Sequence, residues 1–174
     1  MTGRYRAYPE YKDSGVEWLG EVPARWEVRK FKHCCFISEG QVDPEEKKYQ
    51  EWPLIAPNHI ESGTGRLLQI ESAWDQGAIS GKYLVYAGEI IYSKIRPALN
   101  KLCVSPEDCL CSADMYPVRV IAHLELRFLF YFMLSDLFVL RMTNESMRVA
   151  MPKVAQSRMG RRCIHHDREI SSVS

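Results

Sequence analysis

Long hydrophobic runs are missing from this chain of 174 residues. The most apolar segment, FLFYFML at 128–134, is preceded by Arg127 and stopped by Ser135 and Asp136. It is far shorter than the roughly 20 residues that a membrane-spanning helix needs. The first eleven residues also lack the apolar stretch of a secretory signal. These absences predict a soluble protein without a membrane partner, and we expect it in the cytoplasm.

Cysteine spacing and glycine-rich loops give a second set of exclusions. The six cysteines follow no disulfide-framework spacing, so we predict core thiols in a reducing compartment. The thiols predicted to be free are Cys34, Cys35, Cys103 and Cys109. The chain also has neither a glycine-rich strand-to-helix loop nor a phosphate loop. We therefore expect no cofactor bound to this chain.

The composition that remains is that of one globular core. Apolar residues make up 46% of the chain, enough for a single domain with tails. Short apolar segments between glycines and prolines over residues 53–121 predict a mixed or antiparallel sheet of short strands. One helix is predicted at about 125–142, apolar on nearly all sides and therefore buried. The fold class expected is α/β, more narrowly α+β.

Positive charge is concentrated although the net charge is only +1. Residues 82–101 carry four basic side chains and one acidic one, and residues 141–174 carry seven and three. Local basic segments on a neutral chain favour a defined contact surface. Ordinary solvated faces are the alternative, and charge alone does not decide between them.

The most informative segment is GEIIYSKIRPALNK at 88–101, where an apolar strand runs into a cationic loop. The strand residues 90–92 are β-branched or aromatic, and Pro97 ends the strand because it lacks a backbone donor. Such a loop suits phosphate oxygens and base edges. Its candidate contact residues are Lys94, Arg96, Asn100 and Lys101.

Each candidate has a structural alternative. A basic residue beside a proline turn is often a solubilising cap, and an asparagine after a turn often bonds to its own backbone. Lys101, Lys82 and Arg66 are predicted to supply sequence-independent attraction to phosphate. Arg148 and Lys153 are predicted to form a second contact loop.

Two other patterns superficially resemble metal sites. Cys163, His165 and His166 are zinc-ligand types, but no second pair follows at a suitable spacing, so we predict no metal. The run EEKK at 45–48 resembles part of a magnesium-dependent nuclease site. A solvated loop is the better interpretation because the run follows Pro44 in a polar stretch. A standalone nuclease is kept as the alternative function.

Four segments in order carry a resemblance to a known family. They are YKDSGVEWLGEVPARWEVRKFK, WPLIAPNHIESGTGRLLQ, GEIIYSKIRPALNK, and FLFYFMLSDLFV through MPKV. Over about residues 5–160 the chain resembles the target recognition domain of the specificity subunit of type I restriction-modification systems.

The resemblance implies a non-catalytic reader of double-stranded DNA, with its contacts on loops. Modification subunits, which methylate adenine, and restriction subunits, which cleave DNA, would be its partners. S-adenosylmethionine, ATP and Mg²⁺ would belong to those subunits, and the chain lacks the NPP(F/Y)-type motif of the methyltransferases.

The chain departs from the family near its end. The family continues after MPKV into a proline-rich stretch and a long amphipathic helix, whereas this chain reads AQSRMGRRCIHHDREISSVS. We interpret that tail as out of frame. The expected divisions are an arm at 1–25, the recognition domain at 26–157 and an aberrant, disordered tail at 158–174. A natural half-subunit that pairs with a second copy, or a non-functional remnant, are the alternatives.

Overall fold

The structure is a computed structural model that describes residues 8–121, residues 124–146 and the backbone of residues 163–166. The strands are β1 Tyr11–Asp13, β2 Glu21–Pro23, β3 Trp26–Arg29, β4 Cys35–Ile37, β5 Gln41–Val42, β6 Pro53–Ile55, β7 Glu71–Ser72, β8 Lys82–Val85, β9 Ile90–Ser93, β10 Leu102–Val104, β11 Cys109–Cys111, β12 Met115–Val120 and β13 Cys163–His166. The helices are α1 Leu126–Leu134 and α2 Asp136–Ser146, and short 3₁₀ turns cover Phe31–His33, Pro57–His59 and Pro97–Leu99.

Two sheets form the body of the domain. The first has the order β10-β9-β12-β4 and is antiparallel throughout. The second has the order β5-β8-β11-β6-β7, in which β11 and β6 are parallel and the other pairs antiparallel. The predicted α+β fold with a mixed sheet of short strands is confirmed.

Alternation along the strands arranges the core in layers, because successive side chains point to opposite faces of a sheet. On β9, Ile90 and Tyr92 pack in a cluster with residues of α1 and α2. Ile91, between them, packs instead with Cys111 and Val85 of the second sheet. The first sheet therefore lies between the helices and the second sheet, and the strand is apolar on both faces because both are buried.

A smaller cluster covers the other face of the second sheet. Leu54 and Leu110 point away from the first sheet and pack with Tyr49 and Ala73. The segments around Tyr49 and Ala73 therefore lie over this face of the second sheet, and we call them its outer cover.

The predicted single helix at 125–142 is two helices. Ser135 has extended backbone angles, φ −67° and ψ 149°, and its hydroxyl accepts a hydrogen bond from the N–H of Phe138. A serine in this position caps the next helix, so the apolar run does not continue through it. Burial on nearly all sides was also wrong, because Tyr131 and Leu140 are exposed. Neither described helix is long and apolar enough to cross a membrane.

Two expectations about the chain ends and the thiols need correction. Four residues of the tail predicted to be disordered, 163–166, form strand backbone paired with β3. Among the described residues β3 has no other strand partner, so this pairing satisfies its otherwise open backbone groups.

Cys34 was predicted to be a free thiol but is in a disulfide. Sequence spacing does not reveal which thiols come within bonding distance.

The other three thiols predicted to be free are buried and reduced, as is Cys111. Burial raises the pKa of Cys103 to about 12 and that of Cys109 to about 11. A thiol that stays protonated at neutral pH is a poor nucleophile and metal ligand. These cysteines act as small apolar core residues.

Close packing at Gly65 gives a test of the fold. Gly65 has φ +76°, and an added Cβ would overlap the ring of Phe130 on α1. We expect Gly65→Ala to lower the free energy of unfolding by about 2 to 3 kcal/mol, from backbone strain plus overpacking. Gly63→Ala is the matched control, with φ +70° and no atom near the added Cβ. It should cost only the strain, about 1 kcal/mol. Equal losses in urea unfolding would contradict the Phe130 contact.

Candidate nucleic-acid interface

The loop between β9 and β10 has an unusual backbone. Arg96 (φ 48°, ψ 59°) and Asn100 (φ 42°, ψ 58°) flank the 3₁₀ turn Pro97–Leu99, and both are left-handed. They are the only residues other than glycine with positive φ in the described part of the chain. Each such residue costs about 1 kcal/mol or more, so the surroundings must impose this shape.

Asn100 supplies much of that constraint. Its side-chain Nδ2 donates to the carbonyl of Leu134 at the end of α1, at 3.2 Å, and the residue is only 5% exposed. The carbonyl of Asn100 accepts the N–H of Gly63 at 3.1 Å. The residue therefore ties the loop to the helix end and to the neighbouring turn. An amide held in this way does not present its polar edge to a base, and we leave Asn100 out of the proposed contact surface.

Lys101 ties the loop to another segment. Its Nζ donates to the carbonyl of Pro57 at 2.8 Å, and the side chain is half-buried. An ammonium group has three donors, so one fixed bond positions the charge and leaves two donors for a phosphate.

Lys94 lies where the two sheets meet. Its Nζ is 4.8 Å from the ring centroid of Tyr116 on β12 and 5.6 Å from that of Tyr83 on β8. Cation–π attraction to both rings holds the ammonium at this junction. The sequence pattern does not reveal the role of these two tyrosines, because an aromatic residue on a strand looks the same whether it fills the core or holds a cation.

Arg96 differs from its neighbours because it is exposed and its side chain makes no hydrogen bond or ion pair with any other described residue. Only its backbone carbonyl is bonded, to the N–H of Leu99 at 2.9 Å. The strained backbone fixes where its side chain leaves the loop. A guanidinium group presented in this way has its full fork of donors available.

Arg66 is exposed but already paired. Its Nη2 and Nε lie 2.8 Å and 3.0 Å from the two carboxylate oxygens of Glu61. Hydrogen bonds from Arg66 and Thr64 lower the pKa of Glu61 to about 2. The pair is therefore ionised at neutral pH and is lost only as the pH falls towards 2. Arg66 can attract phosphate only against the opposing charge of Glu61.

Lys82 does not lie where the sequence suggested. The residue is only 7% exposed, and its Nζ donates to the backbone carbonyl and the hydroxyl of Ser80. Burial lowers the pKa of this ammonium. Because the residue is buried and its ammonium group is bonded to Ser80, we also leave Lys82 out of the contact surface. Arg148 and Lys153 lie outside the described residues.

The EEKK run at 45–48 is an exposed loop. Lys48 forms an ion pair with Glu46 at 3.0 Å and lies over the ring of Tyr49. No three histidine, cysteine, aspartate or glutamate side chains come together as a metal site within the described part of the chain. This geometry supports the interpretation of the run as a solvated loop.

Comparison with known proteins agrees with the geometry. The sequence pattern of the type I restriction modification DNA specificity domain matches residues 23–164. The chain belongs to this family. It is 36% identical over 138 residues to the type I restriction enzyme EcoDI specificity subunit of Escherichia coli. That alignment covers 79% of this chain and 30% of the relative. The chain thus spans under a third of that protein.

Two solved structures share the fold. One comes from work on complex assembly and conformational transition of the type I R-M system; it is 20% identical, with a TM-score of 0.70, and the match covers 83% of this chain and 38% of that one. The HsdS subunit from Thermoanaerobacter tengcongensis is also 20% identical, with a TM-score of 0.68 and coverage of 83% and 39%. The resemblance seen in the sequence is confirmed at the level of family and fold.

The burial of Asn100 predicts a structural effect of its mutation. Asn100→Ala should lower the free energy of unfolding by about 1 to 3 kcal/mol, because the Leu134 carbonyl loses its donor and alanine disfavours positive φ. Asn100→Gly separates the two causes, since glycine tolerates the backbone and lacks only the hydrogen bond. Urea unfolding measures both. A fully stable Asn100→Ala would contradict the anchoring role.

Proposed function

We propose that this domain reads the base sequence of double-stranded DNA as the recognition part of a type I restriction-modification complex. In this proposal the modification subunits methylate, the restriction subunits cleave, and the domain itself catalyses neither reaction. The complex would act in the cytoplasm, where the DNA is. The observation that supports this most directly is the exposed Arg96, carried by a strained and anchored loop in a member of this family.

The chemistry of the loop fits a groove of DNA. The guanidinium fork of arginine matches the O6 and N7 atoms of guanine, a pairing worth about 1 to 3 kcal/mol of discrimination. An anchored loop has less conformational freedom to lose on binding. The positioned ammonium groups of Lys94 and Lys101 would contact phosphates, which fix orientation without reading sequence.

A selection experiment tests the proposal. The purified chain would be mixed with duplexes of randomised sequence, and bound DNA recovered and sequenced over several rounds. We expect enrichment of one short half-site, with affinity that falls steeply as salt rises. No turnover should occur with S-adenosylmethionine, ATP and Mg²⁺. Recovery of random sequence would contradict sequence reading, and Mg²⁺-dependent cutting that is lost in Glu45→Gln would favour the nuclease alternative.

Arg96→Gly separates binding from stability. Glycine relieves the left-handed backbone, so the free energy of unfolding should rise by up to about 1 kcal/mol. Affinity for the selected DNA should fall by about 1 to 3 kcal/mol, with preference lost at one base position. Arg96→Lys should keep most non-specific affinity and lose that preference, because lysine lacks the fork.

Arg25→Ala is the control for Arg96, since Arg25 is also exposed but lies on the connection between β2 and β3. It should change neither affinity nor preference. If Arg96→Gly weakened selected and random DNA equally, base reading by Arg96 would be wrong.

Glu61→Gln tests whether Arg66, whose charge is balanced by Glu61, contributes to DNA binding. Removing the carboxylate charge leaves Arg66 uncompensated, so affinity for any DNA should rise and the salt dependence should steepen by about one phosphate contact. Glu27→Gln makes the same charge change in another exposed pair, with Arg29 on β3. An equal rise in both variants, measured by fluorescence anisotropy at several salt concentrations, would show a general charge effect and remove Arg66 from the interface.

A further inference from the structure

Leu99 is an apolar side chain within the cationic loop between β9 and β10. It is 43% exposed and is the only large apolar residue exposed between residues 94 and 101. The other exposed side chains of that segment are Arg96 and the small Ala98. A single exposed leucine is ordinary on a protein surface. This one lies in the loop that carries the proposed base contact, so its position bears on what the loop can read.

The backbone fixes where the Leu99 side chain leaves the loop. Its N–H donates to the carbonyl of Arg96 at 2.9 Å, and the N–H of Asn100 donates to the carbonyl of Pro97 at 2.9 Å. The side chain of Asn100 is bonded to the end of α1, and α2 lies beside the same turn. Leu99 is therefore held on both sides. A loop free to move would gain free energy by folding the leucine inward, whereas this turn keeps it exposed.

Arg96 and Leu99 are the two ends of one turn. Residues related in this way have Cα atoms within about 7 Å of each other. Successive base pairs of B-DNA are about 3.4 Å apart along the helix axis. A base contact by Arg96 would therefore bring Leu99 over the same base pair or one within about two steps of it.

An apolar side chain matches one group on the base edges of the major groove. The edges of guanine, cytosine and adenine present hydrogen-bond donors and acceptors there, whereas thymine also presents its C5 methyl group. A leucine set against the donors and acceptors would leave them without partners, which costs free energy. Against the methyl group it buries apolar surface on both sides and leaves no polar group unpaired.

We propose that Leu99 reads a thymine methyl group within about two base pairs of the guanine contacted by Arg96. This inference rests on the proposed function and adds to it, because it states what the half-site contains. Two side chains on one constrained turn would read neighbouring bases by different means, a hydrogen-bonding fork and an apolar contact. The minor groove carries no such methyl group, so the inference also places the loop in the major groove.

Deoxyuridine tests the inference directly, because it lacks the C5 methyl group of thymidine and pairs with adenine in the same way. Each thymine of the selected half-site would be replaced singly, and the affinity of this chain measured by fluorescence anisotropy. One replacement should lower the affinity about three- to fivefold, the effect of removing one methyl group from a buried contact. It should lie within about two base pairs of the position whose preference is lost in Arg96→Gly.

Variants of Leu99 identify the side chain that reads the methyl group. Leu99→Ala should bind thymine and deoxyuridine duplexes equally at that position, whereas any effect of deoxyuridine elsewhere should persist. Leu99→Gln keeps the length of the side chain but not its apolar end, and it should behave as Leu99→Ala does. Leu99→Met keeps an apolar side chain of similar volume and should keep the sensitivity.

Ile79→Ala is the matched control. Ile79 is an exposed isomer of leucine on the outer cover of the second sheet, on the face that points away from the first sheet. The variant should distinguish thymine from deoxyuridine as the unaltered chain does.

The outcomes separate this inference from the proposed function. A selected half-site without a thymine near the guanine, or no effect of any deoxyuridine on the unaltered chain, would overturn the inference alone. An equal loss of affinity for both duplexes in Leu99→Ala would leave the sensitivity intact and make Leu99 only a support of the loop. Recovery of random sequence by the unaltered chain would contradict the proposed function, and this inference with it.

Discussion

The bond from the Asn100 side chain to the Leu134 carbonyl, buried where the β9–β10 loop meets the end of α1, constrains the whole candidate interface. It holds a left-handed residue next to the turn Pro97–Leu99, whose other flank is the left-handed Arg96. Two strained residues in one loop persist only if the surrounding structure fixes them. The position of the exposed guanidinium thus depends on an interaction that is largely buried.

Charge is divided between surfaces in a way that the net value of +1 conceals. Lys94 and Lys101 are fixed by aromatic rings and a backbone carbonyl around the β9–β10 loop. Six exposed acidic residues lie instead on the segments 43–51 and 71–80 of the outer cover. An acidic surface repels DNA phosphate, so this division would favour a single orientation of the domain on DNA.

The layered core explains how these surfaces stay apart. The first sheet is covered by the helices on one face and by the second sheet on the other, and the second sheet carries the 43–51 and 71–80 segments outside. Ile91 and the residues it packs with, such as Val85 and Cys111, are fully buried between the sheets. Rigid layers of this kind hold the loops at their ends in place. They also leave the segments that cover them little freedom to move.

The sequence by itself determined the short strands, the end of β9 before Pro97, the cationic loop and the family, because these depend on local pattern and motif order. It could not determine the burial of Lys82, the capping of α2 by Ser135 or the burial of Asn100. The partner of Asn100 is 34 residues away in the chain. Whether a polar side chain faces solvent or anchors a loop depends on which distant groups the fold brings beside it, and only the tertiary structure decided that.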